Sequence, residues 1–406
     1  YTKEILELKL LNYFNSFSIK NSNQIILINF LIFICSIYGI SKLNVENSFI
    51  NYFKKDTEIY KGMKLIDSEL GGTTPLDIII TFDDNIENYT DTNDESNDED
   101  EIFSDEEIIL DDLFAENEDK KIWFDNYKLS VINDIHKYLE SRKEIGKVIS
   151  INNLIDVANL INQKPLSIFE LAILYDEIPQ EYKNDLILPY LSIENNMVKI
   201  TGRVRDSMNI SRANLIDDVK DYLREKHSDL KEYKVNGLLI LYNNMLQSLF
   251  FSQIKSIGFV VLIIFFMFII LFRSIKISII GIIPNIFAST YILGIIGLFK
   301  IPLDIMTITI AAITIGIAVD NTIHYLYRYK ENLNATKDKN LSIKLTHNSV
   351  GKAVLTTSLT ITLGFSVLIF SNFIPSVLFG VFTSLAMILA MIGVLVTLPS
   401  LINKIL

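Results

Sequence analysis

Six apolar runs divide this chain in an uneven pattern, one near the start and five crowded together after a polar stretch of about 210 residues. The runs are Asn23–Leu43, Ile254–Phe272, Ile277–Phe299, Leu303–Tyr327, Ala353–Ser371 and Ser376–Leu401. A bilayer core takes about 20 apolar residues of helix to cross. Inside it, backbone groups find no water, so each run must satisfy its own hydrogen bonds as a helix. Half of the 406 residues are hydrophobic and 25 are Phe, a composition of membrane proteins and not of soluble enzymes. The expected class is therefore an α-helical polytopic membrane protein with six transmembrane helices and one large domain on one side.

Lysine and arginine orient it. Lys3, Lys9 and Lys20 precede the first run, Arg273 and Lys276 fill a tight loop, and Arg328, Lys330, Lys337, Lys339, Lys344 and Lys352 fill the longest one. With Lys404 they share one side of a six-span arrangement, while the opposite short loops hold only Lys300. The positive-inside rule then puts both termini in the cytoplasm and the large domain outside a cell (inner) membrane. The expected division is a cytoplasmic interfacial segment at 1–22, a first transmembrane helix at 23–43, an extracytoplasmic domain at 44–253 and a five-helix block at 254–403. Ile5, Leu8, Leu11 and Phe14 give the first segment a near-helical apolar spacing suited to packing at the interface.

The net charge of −11 hides an uneven distribution. Between Asp83 and Asp119 there are 18 acids and no Lys or Arg, so the remainder carries +7. The tract has no calcium-loop spacing and reads as a solvated, disordered acidic insertion at 83–119. Around it the external domain alternates strand and helix signals. Pro75–Phe82 reads as a strand, Ile122–Glu140 as a helix and Gly146–Ile151 as a strand. Met197–Val204, Ser211–Lys226 and Tyr233–Leu241 repeat that order, with Ser211 as an N-cap and Asn153–Glu177 as a helix between the two units. Two strand–helix–strand units predict an α+β, ferredoxin-like domain.

The chemistry concentrates in Leu303–Leu326, LDIMTITIAAITIGIAVDNTIHYL. Asp320 and His324 stand four residues apart, on one helical face. A charge at that depth costs about 3 kcal/mol on the gentler insertion scale. An acid and an imidazole placed there point to a proton relay; the alternative is a pair that satisfies itself without titrating. Gly316 and Ala312 lie one and two turns earlier on the same face and admit a close neighbouring helix. The fifth run brings Thr356, Thr357, Ser358, Thr360 and Thr362, with Thr357, Thr360 and Gly364 on one face. Their hydroxyls either reach Asp320 and Asn321 or bond back to their own helix. Asp304 reads as a helix cap, and Pro284, Pro375 and Pro399 as bends or helix starts.

Other chemistries find no support in the residues. Cys35 is the one cysteine and the four histidines are scattered, so neither a disulfide nor a metal site is expected. There is no nucleophile–base set and no phosphate loop, so the expectation is no enzyme, no cofactor, no metal and no nucleic-acid partner. The chain opens on Tyr1, as a piece of a longer protein would.

Gly316-Ile317-Ala318-Val319-Asp320-Asn321-Thr322-Ile323-His324, followed by Tyr325-Leu326-Tyr327-Arg328-Tyr329, resembles the fourth-span motif of the resistance-nodulation-division (RND) superfamily. It is most similar to the MMPL, or hydrophobe/amphiphile-exporter, branch. Gly351–Thr360 with Leu363-Gly364-Phe365 resembles that branch's next span, and Gly71-Gly72-Thr73-Thr74-Pro75-Leu76 resembles the entry to its porter domain. The five-span block is also similar to a sterol-sensing domain. The resemblance implies proton-motive-force-driven export of hydrophobic or amphiphilic, lipid-like molecules. Asp320 would be the protonated carboxylate, with His324, Asn321, Thr357 and Thr360 as partners and Gly316 and Gly364 as packing positions. The superfamily usually carries two such halves and this chain has one, most like the C-terminal half. A second RND half or a homodimer partner is therefore expected. A SecDF-like protein-export assistant and a non-pumping sterol or lipid sensor are the alternative functions.

The topology is testable in a Cys35→Ser background. Ser104→Cys should react with an impermeant maleimide in intact cells and Asn340→Cys only after permeabilisation; the reverse pattern inverts the orientation.

Overall fold

The computed structural model describes residues 2–43, 48–83, 123–206 and 211–406. Of the acidic insertion expected at 83–119, everything after Asp83 lies outside the described residues. The chain forms two compact units, one built from Tyr1–Tyr60 with Asn244–Leu406 and the other from Lys61–Asn243.

The second unit is built on an antiparallel sheet of β1 (Thr74–Thr81), β2 (Ile145–Ile149), β3 (Leu191–Ser192), β4 (Met197–Val204) and β5 (Glu232–Asn236). The order is β2-β4-β1-β5, with the short β3 added to β4. Leu76, Ile78 and Ile80 alternate inward along β1 and are fully buried, the period-2 pattern of a strand with one covered face. The helix Asn126–Ser141 falls between β1 and β2, and Arg212–Lys226 between β4 and β5. Ile132, Ile135 and Leu139 from the first, and Leu215, Val219 and Leu223 from the second, join the β1 residues in one core. Asp125 caps the first helix by accepting from the Lys128 amide at 2.6 Å, and Ser211 caps the second.

The stretch Arg328–Lys352, expected as the longest loop, is mostly helix: the fourth expected span runs on to Thr336 in place of Tyr327, and the fifth starts at Lys339 in place of Ala353. Three other boundaries differ from expectation, each for a local reason. The last strand stops at Asn236 and not at Leu241, because Gly237 turns the chain at φ 103°. A side chain there would sit 2.8 Å from the Pro75 carbonyl, so only glycine fits. The helix that follows runs from Leu238 to Phe272, starting sixteen residues before the expected span. Its first turns mix Asn243, Asn244 and Gln247 with leucines and lower the local hydropathy. The single helix expected over Asn153–Glu177 is two, Ile151–Asn162 and Ile168–Glu177. Gln163 adopts φ 58°, Pro165 follows, and Ser150 with Asn153 and Ser167 with Glu170 form a capping box for each helix.

Among the described residues, six helices are long and apolar enough to cross a membrane: Ser22–Ile40, Leu238–Phe272, Ile275–Leu298, Ile305–Thr336, Lys339–Phe370 and Ile374–Ile405. They are numbered here as the first to sixth spans. The fifth and sixth are interrupted by π turns at His347–Gly351 and Gly393–Thr397. Gly39 of the first span meets Gly294 and Gly297 of the third so closely that a side chain at any of them would enter the facing backbone. The amino-terminal helix Thr2–Lys20 buries Leu11 against Val394, Leu395 and Leu398 of the sixth span.

His227 closes the helix Arg212–Lys226 and is almost fully buried, its ring edge-on to Tyr222, which stacks on Tyr138 at 3.6 Å. Burial lowers its pKa below the usual 6.5, against weaker pulls upward from Asp229 and Asp134. The unfolded chain then binds the proton more readily than the folded unit does. The stability tied to neutral His227 is complete above about 6.5 and is lost as pH falls through the lowered folded value. The chain's one tryptophan, Trp123, is buried in this unit and reports its unfolding. The unfolding midpoint followed by its fluorescence should fall below pH 6.5, and His227→Phe should flatten that dependence.

Candidate functional site

The fourth span is a 32-residue helix whose start is fixed by Asp304, which accepts from the Thr307 amide at 2.7 Å in a reciprocal capping box. Beyond the cap, its polar side chains leave on different faces. Asp320 and His324 share one, as the four-residue spacing requires, with His324 Nε2 3.5 Å from Asp320 Oδ1. Both are largely open within this chain, the side chains 72% and 69% exposed. Ala312, Gly316 and Tyr327 continue the same open stripe. A side chain added at Gly316, or at Gly364 of the fifth span, would meet nothing within 4 Å. The small residues leave room for a close neighbour, and among the described residues no helix takes that room.

The neighbouring residues turn the other way. Asn321 is buried and its amide donates to Ser358 of the fifth span at 3.5 Å. Thr322 is fully buried and its hydroxyl lies 3.1 Å from Asn285 Oδ1 on the third span and 3.0 Å from its own Ala318 carbonyl. Thr357 and Thr360 donate to their own helix, to Ala353 at 2.9 Å and Thr356 at 2.8 Å. Of the hydroxyls singled out by spacing, Ser358 is therefore the one paired with the fourth span. Thr357, Thr360 and Gly364 lie on an open face of the fifth span, as Asp320 and Gly316 do on the fourth.

A further contact was not visible in the sequence. Tyr325 is fully buried, and its hydroxyl lies 2.8 Å from Nδ1 of His347, which is itself fully buried at the fifth-span π turn. His347 Nε2 lies 2.9 Å from the Leu395 carbonyl, inside the π turn of the sixth span. A carbonyl only accepts, so Nε2 donates to Leu395, while Nδ1 faces both the Tyr325 hydroxyl and, at 3.3 Å, the Ile343 carbonyl. One imidazole thereby ties the fourth span to both interrupted helices. No signal in the sequence marked it: His347 lies in a basic stretch, next to no motif.

No group of three or more metal-ligating side chains occurs among the described residues. What the arrangement sets out is a carboxylate beside an imidazole on the open face of a helix whose other faces are fixed to the third, fifth and sixth spans.

Comparison with known proteins adds two findings. A family model described as the MMPL family matches residues 195–405. A protein of Methanocaldococcus jannaschii, whose name says only that it is provisionally a membrane protein, is 29% identical over 153 residues. That alignment covers 38% of this chain and 38% of the relative.

The Thr322–Asn285 hydrogen bond predicts a measurable coupling. In a double-mutant cycle of Thr322→Val and Asn285→Leu, read by unfolding in bicelles, the interaction energy should be about 0.6 kcal/mol and no more than about 1.7. Strict additivity would mean the two side chains do not stabilise each other.

Proposed function

The chain belongs to the MMPL family, and we propose that it is a transporter of hydrophobic or amphiphilic molecules driven by protons that load on Asp320. The observation that carries this reading is the open Asp320–His324 pair on an otherwise packed intramembrane helix. Ionisable groups within spans face a protein partner or a watery path and not lipid tails. Protonation would neutralise Asp320, lower the cost of a less polar setting, and let the fourth span shift against whatever faces it. In this scheme Asn321 is an anchor to Ser358, and Thr357 and Thr360 line the approach to Asp320 without a direct bond to it.

The partner in this reading is a second copy or a second half, meeting the stripe of Ala312, Gly316 and Asp320. The order β2-β4-β1-β5 and the two strand–helix–strand connections support a ferredoxin-like porter plan for the unit at Lys61–Asn243. Lysine and arginine bias supports the inner membrane, with both termini in the cytoplasm. The chain has no enzymatic step and no cofactor in this scheme.

Reconstituted into proteoliposomes, the chain should move a fluorescent amphiphile only when a pH gradient is imposed. Asp320→Asn should abolish that flux while insertion and the unfolding midpoint stay unchanged; full flux in Asp320→Asn would sink the relay. Gly316→Cys in the Cys35→Ser background should give a disulfide-linked dimer on mild oxidation if two copies meet at this stripe.

A further inference from the structure

A second feature lies in the unit at Lys61–Asn243. The helices Ile151–Asn162 and Ile168–Glu177, with the short helix Gln180–Tyr182 and the π turn Lys183–Ile187, surround a groove of about 600 Å³. Ligand pockets run from about 300 to about 1,000 Å³. Its floor is Ile151, Leu171 and Ile187, all buried, and Leu154, Ala158 and Leu174 form the walls. The rim stays apolar as well, with Ile161 78% and Tyr182 56% exposed. A soluble surface seldom leaves so much apolar area open without a use for it.

The charges at the groove select among occupants. Its charged lining residues are both acids, Glu170 and Glu177. Glu170 accepts from the Ser167 amide at 2.8 Å, a bond that keeps its carboxyl low and ionised. Two cations stand nearby without lining the groove: Lys183, over the Tyr175 ring at 4.7 Å and on the Asp176 carbonyl at 3.2 Å, and Lys164, whose charge helps keep the Glu170 carboxyl low. The two lining carboxylates would repel an anionic head group and would not repel an uncharged or cationic one. Depth argues for a chain and not a protein face, since a flat surface laid on the rim would leave the floor without contacts.

We propose that this groove binds the hydrocarbon chain of an amphiphile whose head group is uncharged or cationic. The proposal rests on the reading of the protein as an amphiphile transporter, and it names the site and the head-group class. Apolar burial grows with each methylene, so chain length governs affinity and the acids govern selection.

The test uses the full chain in nanodiscs and three photoreactive sixteen-carbon probes that differ in the head: hydroxyl, amine and carboxylate. Labelled peptides are mapped by mass spectrometry. The hydroxyl and amine probes should label residues 151–187, and the carboxylate probe roughly tenfold less. Ala158→Trp, which fills the groove, should cut that labelling roughly tenfold while labelling of the spans stays constant. Ile161→Asp, an exposed position that puts no fold at risk, should reduce it too. Glu170→Gln with Glu177→Gln should bring the carboxylate probe up to the others. Labelling at 151–187 that neither Ala158→Trp nor Ile161→Asp changes overturns the proposal. So does crosslinking of this groove to a peptide of a second copy in place of the probes. Asp320→Asn separates the two readings. If it keeps groove labelling and wild-type chain shows no flux, the site stands and the pump fails; flux without groove labelling leaves the pump and removes the site.

Discussion

A polar side chain inside hydrocarbon must find a partner, and the membrane unit is organised by how the fourth span meets that demand. Asn321, Thr322 and Tyr325 are consecutive or nearly so, and helical geometry sends them to different neighbours: Ser358, Asn285 and His347. Each bond is modest alone, averaging about 0.6 kcal/mol within membranes. Together they fix the rotation of the helix, and rotation decides where Asp320 points. With three faces tied inward, the remaining face is outward by elimination.

The same demand accounts for the interrupted helices. A π turn frees a carbonyl from the regular ladder and is found at functional positions. Leu395 sits in such a turn, and His347 bonds its carbonyl from another. The two irregularities are joined by one ring, which gives the Leu395 carbonyl its donor. The glycines at 39, 294 and 297 serve a different end, bringing the first and third spans close enough for backbone packing without side chains.

Much of this was legible in the sequence because hydropathy and period are strong signals. The six spans, the strand at Thr74–Thr81 with its inward Leu76, Ile78 and Ile80, and the Asp304 cap all follow from spacing and residue type. The shared face of Asp320 and His324 follows from a four-residue step. What escaped depended on pairing across elements. His347 gives no sign of meeting both Tyr325 and Leu395, because its partners are 22 residues before it and 48 after it. Spacing selected Thr357 and Thr360, yet a threonine in a helix has its own carbonyl within reach at no entropic cost, and both take it. Ser358, on the intervening face, is the residue turned toward Asn321. The break at Gln163 hid behind a continuous apolar pattern that Pro165 overrules.

The open stripe carries the remaining argument. Lipid tails facing Asp320 would leave its charge to a cost of about 3 kcal/mol by insertion scales, and of 10 or more by simulations of an isolated helix. His324 lies 3.5 Å away and relieves part of that cost only when protonated. A second protein surface, as proposed, would remove the rest: Ala312 and Gly316 precede the acid at one-turn steps and are exposed among the described residues. Small residues beside an intramembrane charge allow a helix to come close enough to offer hydrogen bonds in place of water. The fifth span carries Gly364 on an open face of its own, where a side chain would meet nothing within 4 Å. In the proposed reading, a helix locked on its packed faces and open on the one that carries its charge is half of an interface.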